Sequence, residues 1–303
     1  MADPRRRHHA NVPGPWFVDT TCIDCDACRQ LAPTVFDGTG LGQSAVRRQP
    51  ASADEEKAAT RALVACPTAS IGVEGRHVQA EGLFPQEIAT NHRDGGRSED
   101  GVFYCGFNSE DSFGANAFLA VRPEGNLLVD SPRFAAPLVR AIEEKGGVRH
   151  ILLTHRDDVA DAERFAHHFA AEVWIHEADA SGAPFATHRL RGLDPVTLWP
   201  DLTAIPLPGH TRGSVAYLLR SRFLFSGDSL YWSRARQDLS AFRDACWYSW
   251  QEQTESLDRL AAHRFEWVLA GHGDRHRAPA EEMARRLREL VQRMRATRDD
   301  TEW

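Results

Sequence analysis

The sequence predicts a two-domain protein of the mixed α and β class, with a small α+β domain at residues 1–81 and a larger domain at 102–303. Four cysteines near the N-terminus have a spacing typical of a metal-cluster domain. Residues 82–101 are rich in Gly, Pro and polar residues without a sustained apolar period, which predicts a linker. From residue 102 onward, short apolar runs alternate with helical patterns, which predicts strands and helices packed in layers.

The four cysteines define the chemistry predicted for the first domain. Cys22, Cys25 and Cys28 form a C-x2-C-x2-C run, and Cys66-Pro follows after a segment able to form a helix and short strands. Four cysteine sulfurs are what an iron-sulfur cube requires, although they also suit zinc. Over residues 14–80 the sequence resembles single-cluster bacterial ferredoxins, which implies one 4Fe-4S cluster held by these four residues.

Three acidic residues, Asp24, Asp26 and Asp37, surround the predicted cluster loop. An acidic rim would suit docking to a basic redox partner, and a solvated loop is the alternative interpretation. We expect a reductase to be the redox partner of a protein with such a cluster.

The second domain contains a series of predicted strands and helices. The predicted strands are 116–122, 125–130, 149–154, 203–206, 214–220 and 222–228. The predicted helices are 138–145, 160–169, 250–263 and 279–296. The last of these helices has a single apolar stripe, which predicts packing against a core.

Several predicted strands end at side chains able to bind a metal. His155 follows Leu152-Leu-Thr, His210 lies in the turn Pro208-Gly-His-Thr-Arg-Gly-Ser, Asp228 follows Leu224-Phe-Ser-Gly, and His272 follows Val268-Leu-Ala-Gly. Such residues can converge on one edge of a sheet and build an open metal site. Each histidine taken alone would more often be a satisfied core or loop residue.

In this order and with these glycines, the motifs resemble the metallo-beta-lactamase superfamily across residues 103–295. The resemblance implies an αββα four-layer sandwich, in which His155 opens the first metal motif and His210 is the histidine of the Gly-His-Thr-x-Gly-Ser turn. It also implies that Asp228 bridges metals and that His272 is the last histidine ligand.

The first motif departs from the superfamily pattern His-x-His-x-Asp-His. In the direct register Asp157 replaces the second histidine. In a register with a loop two residues longer, which resembles ferredoxin-fused members of the superfamily, Asp161 becomes the metal-site aspartate and Ala162 replaces the final histidine. We therefore expect Asp157 and Asp161 to be ligands, while capping of the following helix is the competing role for these carboxylates.

The predicted donor set decides which metals are candidates. Imidazoles with two or more carboxylates and no thiolate suit iron and manganese as well as zinc. Flavodiiron proteins, another branch of the superfamily, also carry a carboxylate in place of the second histidine and hold iron. We expect one or two further metal ions, with iron preferred and zinc or manganese as alternatives.

Aromatic residues flank the loop that follows Asp228. Tyr231-Trp232 and Cys246-Trp247-Tyr248 bracket this segment, which could line a pocket over the metal, pack between domains or simply be buried. Cys105 and Cys246 are expected to be buried free thiols.

The composition and the apolar pattern bear on nucleic-acid binding, membrane insertion and cellular compartment. The net charge of −7 argues against nucleic-acid binding. The longest apolar runs are far shorter than the ~20 residues of a membrane span. We expect a cytoplasmic protein, because no apolar segment follows the N-terminal basic cluster as in a secretion signal.

Three functions are consistent with this pattern. The first is an oxidoreductase in which the 4Fe-4S cluster supplies electrons to a non-haem iron site that acts on a small substrate or on oxygen. The second is a zinc hydrolase of an ester or thioester, in which Asp161 or Asp228 orients the attacking water and the cluster is structural or regulatory. The third is a non-catalytic electron carrier or redox sensor.

Overall fold

A computed structural model describes residues 2–75, 78–90 and 101–296. The chain divides into two compact units. Unit 1 comprises residues Met1–His150 and Ala160–Ala171, and unit 2 comprises Ile151–Val159 and Glu172–Trp303.

Unit 1 begins with the cysteine-containing region. Its strands and helices are β1 (Trp16–Val18), α1 (Ala27–Leu31), β2 (Phe36–Gly38), β3 (Ser44–Val46), α2 (Ala53–Ala65) and β4 (Ile71–Val73). β1 pairs with β4 and β2 pairs with β3, both antiparallel. Trp16, Val35, Phe36 and Val46 are buried in the core of this region, so a small domain is closed around its own apolar centre.

The rest of unit 1 is an antiparallel sheet with two helices. Its elements are β5 (Gln86–Thr90), β6 (Gly101–Tyr104), β7 (Phe118–Val121), β8 (Leu127–Val129), α3 (Ala136–Glu143) and α4 (Ala162–Phe169). The strands follow one another in the order β8-β7-β6-β5. β6, β7 and β8 are buried almost throughout, which explains why they appear as continuous apolar runs in the sequence, whereas β5 is partly exposed.

Unit 2 contains most of the remaining strands. They are β9 (His150–Leu152), β10 (Glu172–His176), β11 (His188–Leu190), β12 (Val196–Trp199), β13 (Leu202–Pro206), β14 (Val215–Leu219), β15 (Phe223–Gly227), β16 (Tyr231–Ser233), β17 (Asp238–Ser240), β18 (Trp267–Ala270) and β19 (His276–Arg277). β12, β13, β14, β15, β18 and β19 form a six-stranded sheet in that order, and β16 and β17 form a hairpin.

Two helices, α5 (Trp250–Leu260) and α6 (Ala280–Ala296), complete unit 2. The predicted apolar stripe of α6 is buried, as its spacing required, and consists of Met283, Leu287, Leu290, Val291 and Met294. These side chains share a core with residues of the six-stranded sheet, including Leu218, Leu224 and Val268. This packing holds the ends of β13, β15 and β18 in a fixed arrangement.

Two segments differ from the sequence expectations for physical reasons. The helix expected from residue 160 begins at Ala162, because Ala160 has a φ of 37° in the left-handed region. Part of the expected linker is a strand, since β5 pairs with β6 through Gln86 and Tyr104. Residues 91–100 of that expected linker lie outside the described residues, and the predicted domain boundaries stay a prediction.

The sequence also predicts no membrane span. Within residues 2–75, 78–90 and 101–296, no helix combines the length and apolar character needed to cross a bilayer.

Candidate functional site

The loop from Cys22 to Cys28 is shaped by two aspartates in the left-handed region. Asp24 and Asp26 have φ values of 62° and 66°, a conformation that Asp tolerates better than most residues. The loop therefore turns back twice, and α1 then carries Cys28 while Cys66 follows the last turn of α2. The four predicted cysteines are brought together around one cavity.

Main-chain amides point at two of the sulfurs. Ser44 N donates to Cys22 Sγ at 3.4 Å, and Ser70 N donates to Cys66 Sγ at 3.3 Å. Burial raises the pKa of Cys25 to about 12, with a further contribution from the neighbouring Cys66 and Cys22. Burial also raises the pKa of Cys66. A set of thiolates in this place therefore needs a bound cation to balance its charge.

The spacing of the sulfurs bears on the zinc alternative. A zinc ion with Zn–S bonds of about 2.3 Å would hold its sulfurs about 3.8 Å apart. Among the described residues, the groups of three ligating atoms that lie within 4.8 Å of one another include none of these cysteines. No three of these four sulfurs therefore lie as close together as the ligands of a single zinc ion would.

Gly114 lies directly against the cluster loop. A Cβ added to this glycine would lie 2.9 Å from Cys25 Sγ and 3.1 Å from Pro67 Cγ. Nearby, Asn108 N donates to Ala65 O, and Asn116 Nδ2 donates to Gln30 Oε1. The segment between β6 and β7 therefore covers one side of the cluster loop within unit 1.

The acidic residues near the cluster loop have basic neighbours. Arg29 pairs with Asp24 at 2.8 Å and also with Asp26, and Arg47 pairs with Asp37 at 3.2 Å. The acidic rim is therefore partly neutralised. Docking of a redox partner on this rim stays a prediction.

The second predicted site is built in unit 2 from four strand ends. His155 follows β9, His210 follows β13, Asp228 follows β15 directly, and His272 follows β18. All four predicted residues come together around one atom, Asp228 Oδ2. It lies 3.9 Å from His155 Nε2, 3.7 Å from His210 Nε2 and 3.8 Å from His272 Nε2.

Asp157 and Asp158 complete the cluster. Asp157 Oδ2 lies 3.5 Å from His210 Nε2, and Asp158 Oδ1 lies 4.0 Å from His155 Nε2. Two groups have ligating atoms within 4.8 Å of one another: His155, Asp157 and His210, and His155, Asp158 and Asp228. The two groups share His155, whose Nε2 lone pair can serve one ion, whereas Asp228 has two oxygens and is positioned to serve either one ion or two adjacent ions.

Asp161 belongs to neither ligand group. Its carboxylate accepts a hydrogen bond from Phe134 N at 2.7 Å and pairs with Arg164 at 3.3 Å. Asp158, by contrast, belongs to the second ligand group. The expected ligand and water-orienting roles of Asp161 stay a prediction.

Several buried ring and carboxylate atoms in this site have no hydrogen-bond partner. They are His155 Nε2, His210 Nε2 and Asp228 Oδ1. Leaving such atoms buried costs about 1–3 kcal/mol each unless another partner is present. The donor chemistry therefore fits a metal ion, which would accept these lone pairs.

The other nitrogen of His210 fixes its tautomer. His210 Nδ1 lies 2.6 Å from the Ala245 carbonyl oxygen, which only accepts, so Nδ1 carries a proton and, in the neutral ring, Nε2 has the free lone pair. His155 Nδ1 lies 3.0 Å from Thr154 Oγ1. Both imidazoles therefore have a second partner that orients the ring, as metal-binding histidines usually do.

Electrostatics favour neutral His155 and ionised carboxylates. Burial lowers the pKa of His155 to about 4, against the attraction of Asp228. Interaction with His210 lowers the pKa of Asp157. Burial would raise the pKa of Asp228, but His272, His155 and His210 outweigh this effect and lower it. Burial would also lower the pKa of His210, but the interactions with Asp157 and Asp228 outweigh this effect and raise it.

Gly271 explains why small residues precede the last histidine. A Cβ at this position would lie 2.6 Å from Asp228 Oδ1 and 2.8 Å from Asp158 Oδ2. Only hydrogen fits there without displacing a carboxylate. The glycine in the Leu-Ala-Gly-His segment therefore makes room for two of the candidate ligands.

Sequence reasoning missed Asp179, a buried carboxylate beneath the site. Asp179 Oδ2 accepts hydrogen bonds from Arg156 N at 3.1 Å and from Thr211 Oγ1 at 2.5 Å, and Oδ1 accepts from Gly213 N at 3.0 Å. It therefore links the His155 loop to the His210 turn. The Gly-His-Thr-x-Gly-Ser motif requires such an acceptor, but no local pattern marks residue 179.

The aromatic segment lies beside His210. Trp247 N and Tyr248 N both donate to His210 O, at 2.9 and 3.0 Å, and the Trp247 and His210 ring centroids are 6.2 Å apart. Cys246 is a free thiol that donates to Gly209 O, and Cys105 is a buried free thiol. Cys105 matches the expectation of a buried free thiol, whereas Cys246 is only half-buried.

Comparison with protein families identifies two regions of the chain. Residues 18–73 match the family model described as the 4Fe-4S single cluster domain of Ferredoxin I. Residues 97–294 match the model described as the metallo-beta-lactamase superfamily. The two models together cover both candidate sites.

Curated relatives match only part of the chain. Hydroxyacylglutathione hydrolase of Xanthomonas campestris pv. campestris (strain B100) is 34% identical over 115 residues, which are 37% of this chain and 44% of that protein. Hydroxyacylglutathione hydrolase of Fuscovulum blasticum is 38% identical over 108 residues, 34% of this chain and 42% of that protein. The chain thus spans less than half the length of these relatives.

A solved structure resembles the same region. The metallo-beta-lactamase from Pontibacter korlensis is 18% identical with a TM-score of 0.47, and the alignment covers 59% of this chain and 87% of that protein.

Proposed function

Because the chain belongs to the metallo-beta-lactamase superfamily and carries a 4Fe-4S ferredoxin domain, we propose that it is a metal-dependent redox enzyme. In this proposal the cluster held by the four cysteines supplies single electrons to iron held in unit 2. The iron ligands would be His155, Asp157, Asp158, His210, Asp228 and His272. The substrate would be oxygen or another small molecule that accepts electrons.

The observation that carries this proposal is the donor set of the unit 2 site. Three carboxylates and three imidazoles converge, and no cysteine is within either ligand group among the described residues. Two histidines with a carboxylate on one face are typical of non-haem iron, and additional carboxylates favour the hard, oxidised form of iron. Asp157 stands where the superfamily pattern carries a histidine. Its carboxylate therefore shifts the donor set further towards hard, oxidised iron.

The protein's own residues would have distinct roles. His155 is neutral because of its burial, so its Nε2 lone pair is available for a metal. His210 is held by the Ala245 carbonyl oxygen with Nε2 unprotonated. Asp228 lies between the three imidazoles and can bind through both of its oxygens. When bound, iron would supply an open coordination position and a one-electron redox couple.

A cluster also supports redox chemistry over hydrolysis. Hydrolysis moves no electrons, whereas a complete set of four cysteines with N–H donors to two sulfurs is what an electron-transfer cluster needs. The electrons would be delivered to the cluster by a reductase.

Anaerobic metal and sulfide analysis with Mössbauer spectroscopy tests the proposal. The wild-type protein is expected to contain iron beyond that of the cluster. In Cys25→Ala the additional iron should persist, while reoxidation of the dithionite-reduced protein by oxygen should lose its fast phase. Cys105→Ala, which removes a buried thiol outside the cluster, is the matched control. Unchanged reoxidation in Cys25→Ala would refute electron transfer from the cluster.

A metal-dependent hydrolase is the second candidate, and the curated relatives favour it. They are 34–38% identical over about a third of this chain and are hydroxyacylglutathione hydrolases. In that case the metal would lower the pKa of bound water, and Asp228 would orient it. Zinc-loaded protein that hydrolyses a hydroxyacylglutathione thioester without reductant, equally well in Cys25→Ala, would establish this function instead.

A further inference from the structure

The loop at residues 245–249 is fastened tightly to the turn that carries His210. Trp247 N and Tyr248 N donate to His210 O, and Ser249 N donates to Gly209 O at 3.0 Å. In addition, Cys246 Sγ donates to Gly209 O at 3.1 Å, and His210 Nδ1 donates to Ala245 O. With a further contact from Tyr248 N to Gly209 O at 3.3 Å, six hydrogen bonds hold this segment to two residues, so its main chain has a fixed position relative to the metal-binding imidazole.

Trp247 presents its ring to solvent from this fixed position. Its exposed fraction is 62%, whereas every other tryptophan in the part of the chain that the structure describes is buried or half-buried. A large exposed aromatic ring gives up the free energy that its burial would provide, about 2–3 kcal/mol. The neighbouring Tyr248 is also exposed, at 49%, so two adjacent aromatic side chains are exposed, and Trp and Tyr are enriched at binding surfaces.

The ring also lies at the right distance from the metal-binding atoms. Its centroid is 6.2 Å from the centroid of the His210 ring, and the two rings are inclined at 56°. His210 Nε2 in turn lies 3.7 Å from Asp228 Oδ2, on the side where the ligands converge. A molecule that binds the metal through one atom could therefore extend its next few atoms over the indole.

We infer that Trp247 is a substrate-binding platform at the rim of the unit 2 metal site. The ligand it would take is a small molecule with a metal-binding oxygen or sulfur atom and a planar, conjugated or apolar group a few bonds away. The planar group stacks on the indole while the donor atom binds the metal. This inference rests on the metal site of the proposed function, but it holds for a redox enzyme and for a hydrolase alike.

Two hydroxamates separate the metal contact from the platform contact. Acetohydroxamate and benzohydroxamate bind a metal through the same pair of oxygens, and only benzohydroxamate adds a ring. Their dissociation constants are measured by calorimetry on the full chain with its metal content determined beforehand, and free-metal affinities provide the baseline. The variants are Trp247→Ala, the conservative Trp247→Phe, and Leu193→Ala, which removes another exposed apolar side chain of unit 2.

The wild-type protein is expected to bind benzohydroxamate more tightly than acetohydroxamate by a factor about tenfold larger than free metal does. This factor is the magnitude of one aromatic contact. Trp247→Ala should lose this preference while its affinity for acetohydroxamate stays within about twofold of the wild-type value. Trp247→Phe should keep most of the preference, and Leu193→Ala should keep all of it.

Three outcomes would overturn the inference, and each has a different meaning. A preference that survives Trp247→Ala would show that the ring does not contact the ligand. A wild-type oligomer that dissociates in Trp247→Ala, observed by analytical ultracentrifugation, would show that the ring is a subunit contact. Failure of metal-loaded wild-type protein to bind either hydroxamate would refute the open metal position itself, and with it the proposed function.

Discussion

Asp179 and Gly213 approach so closely that no side chain fits between them. Gly213 N donates to Asp179 Oδ1 at 3.0 Å, and a Cβ on Gly213 would lie 2.6 Å from Asp179 Cγ. Because Asp179 also accepts from Arg156 N and Thr211 Oγ1, one buried carboxylate sets the separation of the two loops that bear His155 and His210.

Replacement of Asp179 tests this positioning role. Asp179→Ala should destabilise the protein by about 2–4 kcal/mol, because it leaves buried donors without an acceptor. Asp179→Asn preserves the size of the side chain but can accept fully through only one atom, so it should fold and yet bind the unit 2 metal more weakly. Metal titration of the folded variant measures this effect.

The matched control for Asp179→Asn is Glu177→Gln. Glu177 lies two residues away and forms an exposed ion pair with Arg191 at 3.0 Å. Its replacement should leave metal affinity unchanged. Equal metal affinity in Asp179→Asn and the wild-type protein would contradict a positioning role for Asp179.

Gly114 is expected to be necessary for the cluster. In Gly114→Ala the new Cβ would collide with Cys25, since only 2.9 Å separates it from the sulfur. The variant should therefore lose the visible absorbance of the cluster or lose iron and acid-labile sulfide.

Gly42→Ala separates this collision from backbone strain. Gly42 has a φ of 76°, close to the 84° of Gly114. An alanine at either position must adopt this left-handed backbone conformation, which should lower the free energy of unfolding by about 1–2 kcal/mol. No atom lies within 4 Å of a Cβ at Gly42, however. A similar loss of cluster in both variants would indicate that backbone strain, and not contact with Cys25, is responsible.

Gly271→Ala should reduce occupancy of the unit 2 metal site. The added methyl group would displace the carboxylates of Asp228 and Asp158, both less than 3 Å away. Iron and zinc contents measured by mass spectrometry should fall for this site while cluster iron is retained. A glycine with open surroundings, Gly192, provides the control variant Gly192→Ala, which should keep the full metal content.

Asp157→His tests how the donor set selects the metal. The substitution replaces an anionic oxygen ligand with a neutral imidazole and restores the histidine that the superfamily pattern carries at this position. We expect the fraction of zinc in the site to rise at the expense of iron when both are supplied, because imidazole suits zinc while carboxylate favours harder ions. The measurement is the ratio of bound iron to bound zinc when the two metals compete for the site. Equal ratios in Asp157→His and the wild-type protein would refute this selection.

The convergence of the principal candidate ligands could be predicted from the sequence because their positions follow from strand ends. His210, Asp228 and His272 each come shortly after an apolar strand of the six-stranded sheet, and neighbouring strands bring such residues to one edge. Cys22, Cys25, Cys28 and Cys66 were predictable from spacing alone, since an iron-sulfur cluster tolerates few ligand arrangements.

The choice between Asp158 and Asp161 depended on information that the local pattern lacks. The left-handed φ of Ala160 ends the ligand loop, and the bond from Phe134 N then engages Asp161. Asp179 was missed for a related reason, because its partners Arg156 and Gly213 are 23 and 34 residues away in the chain. Both outcomes are set by tertiary contacts and not by residue type.

The amides of Ser44 and Ser70 that point at Cys22 and Cys66 have a consequence for the reduction potential of the cluster. Hydrogen bonds to the sulfurs are among the features that tune this potential. Reduction adds negative charge, so each N–H dipole aimed at a sulfur favours the reduced cluster and makes the potential more positive. Because the donors belong to the main chain, any residue other than proline at positions 44 and 70 would preserve them. This contribution to the reduction potential is therefore set by the path of the backbone, and it can persist while the side chains at these two positions change.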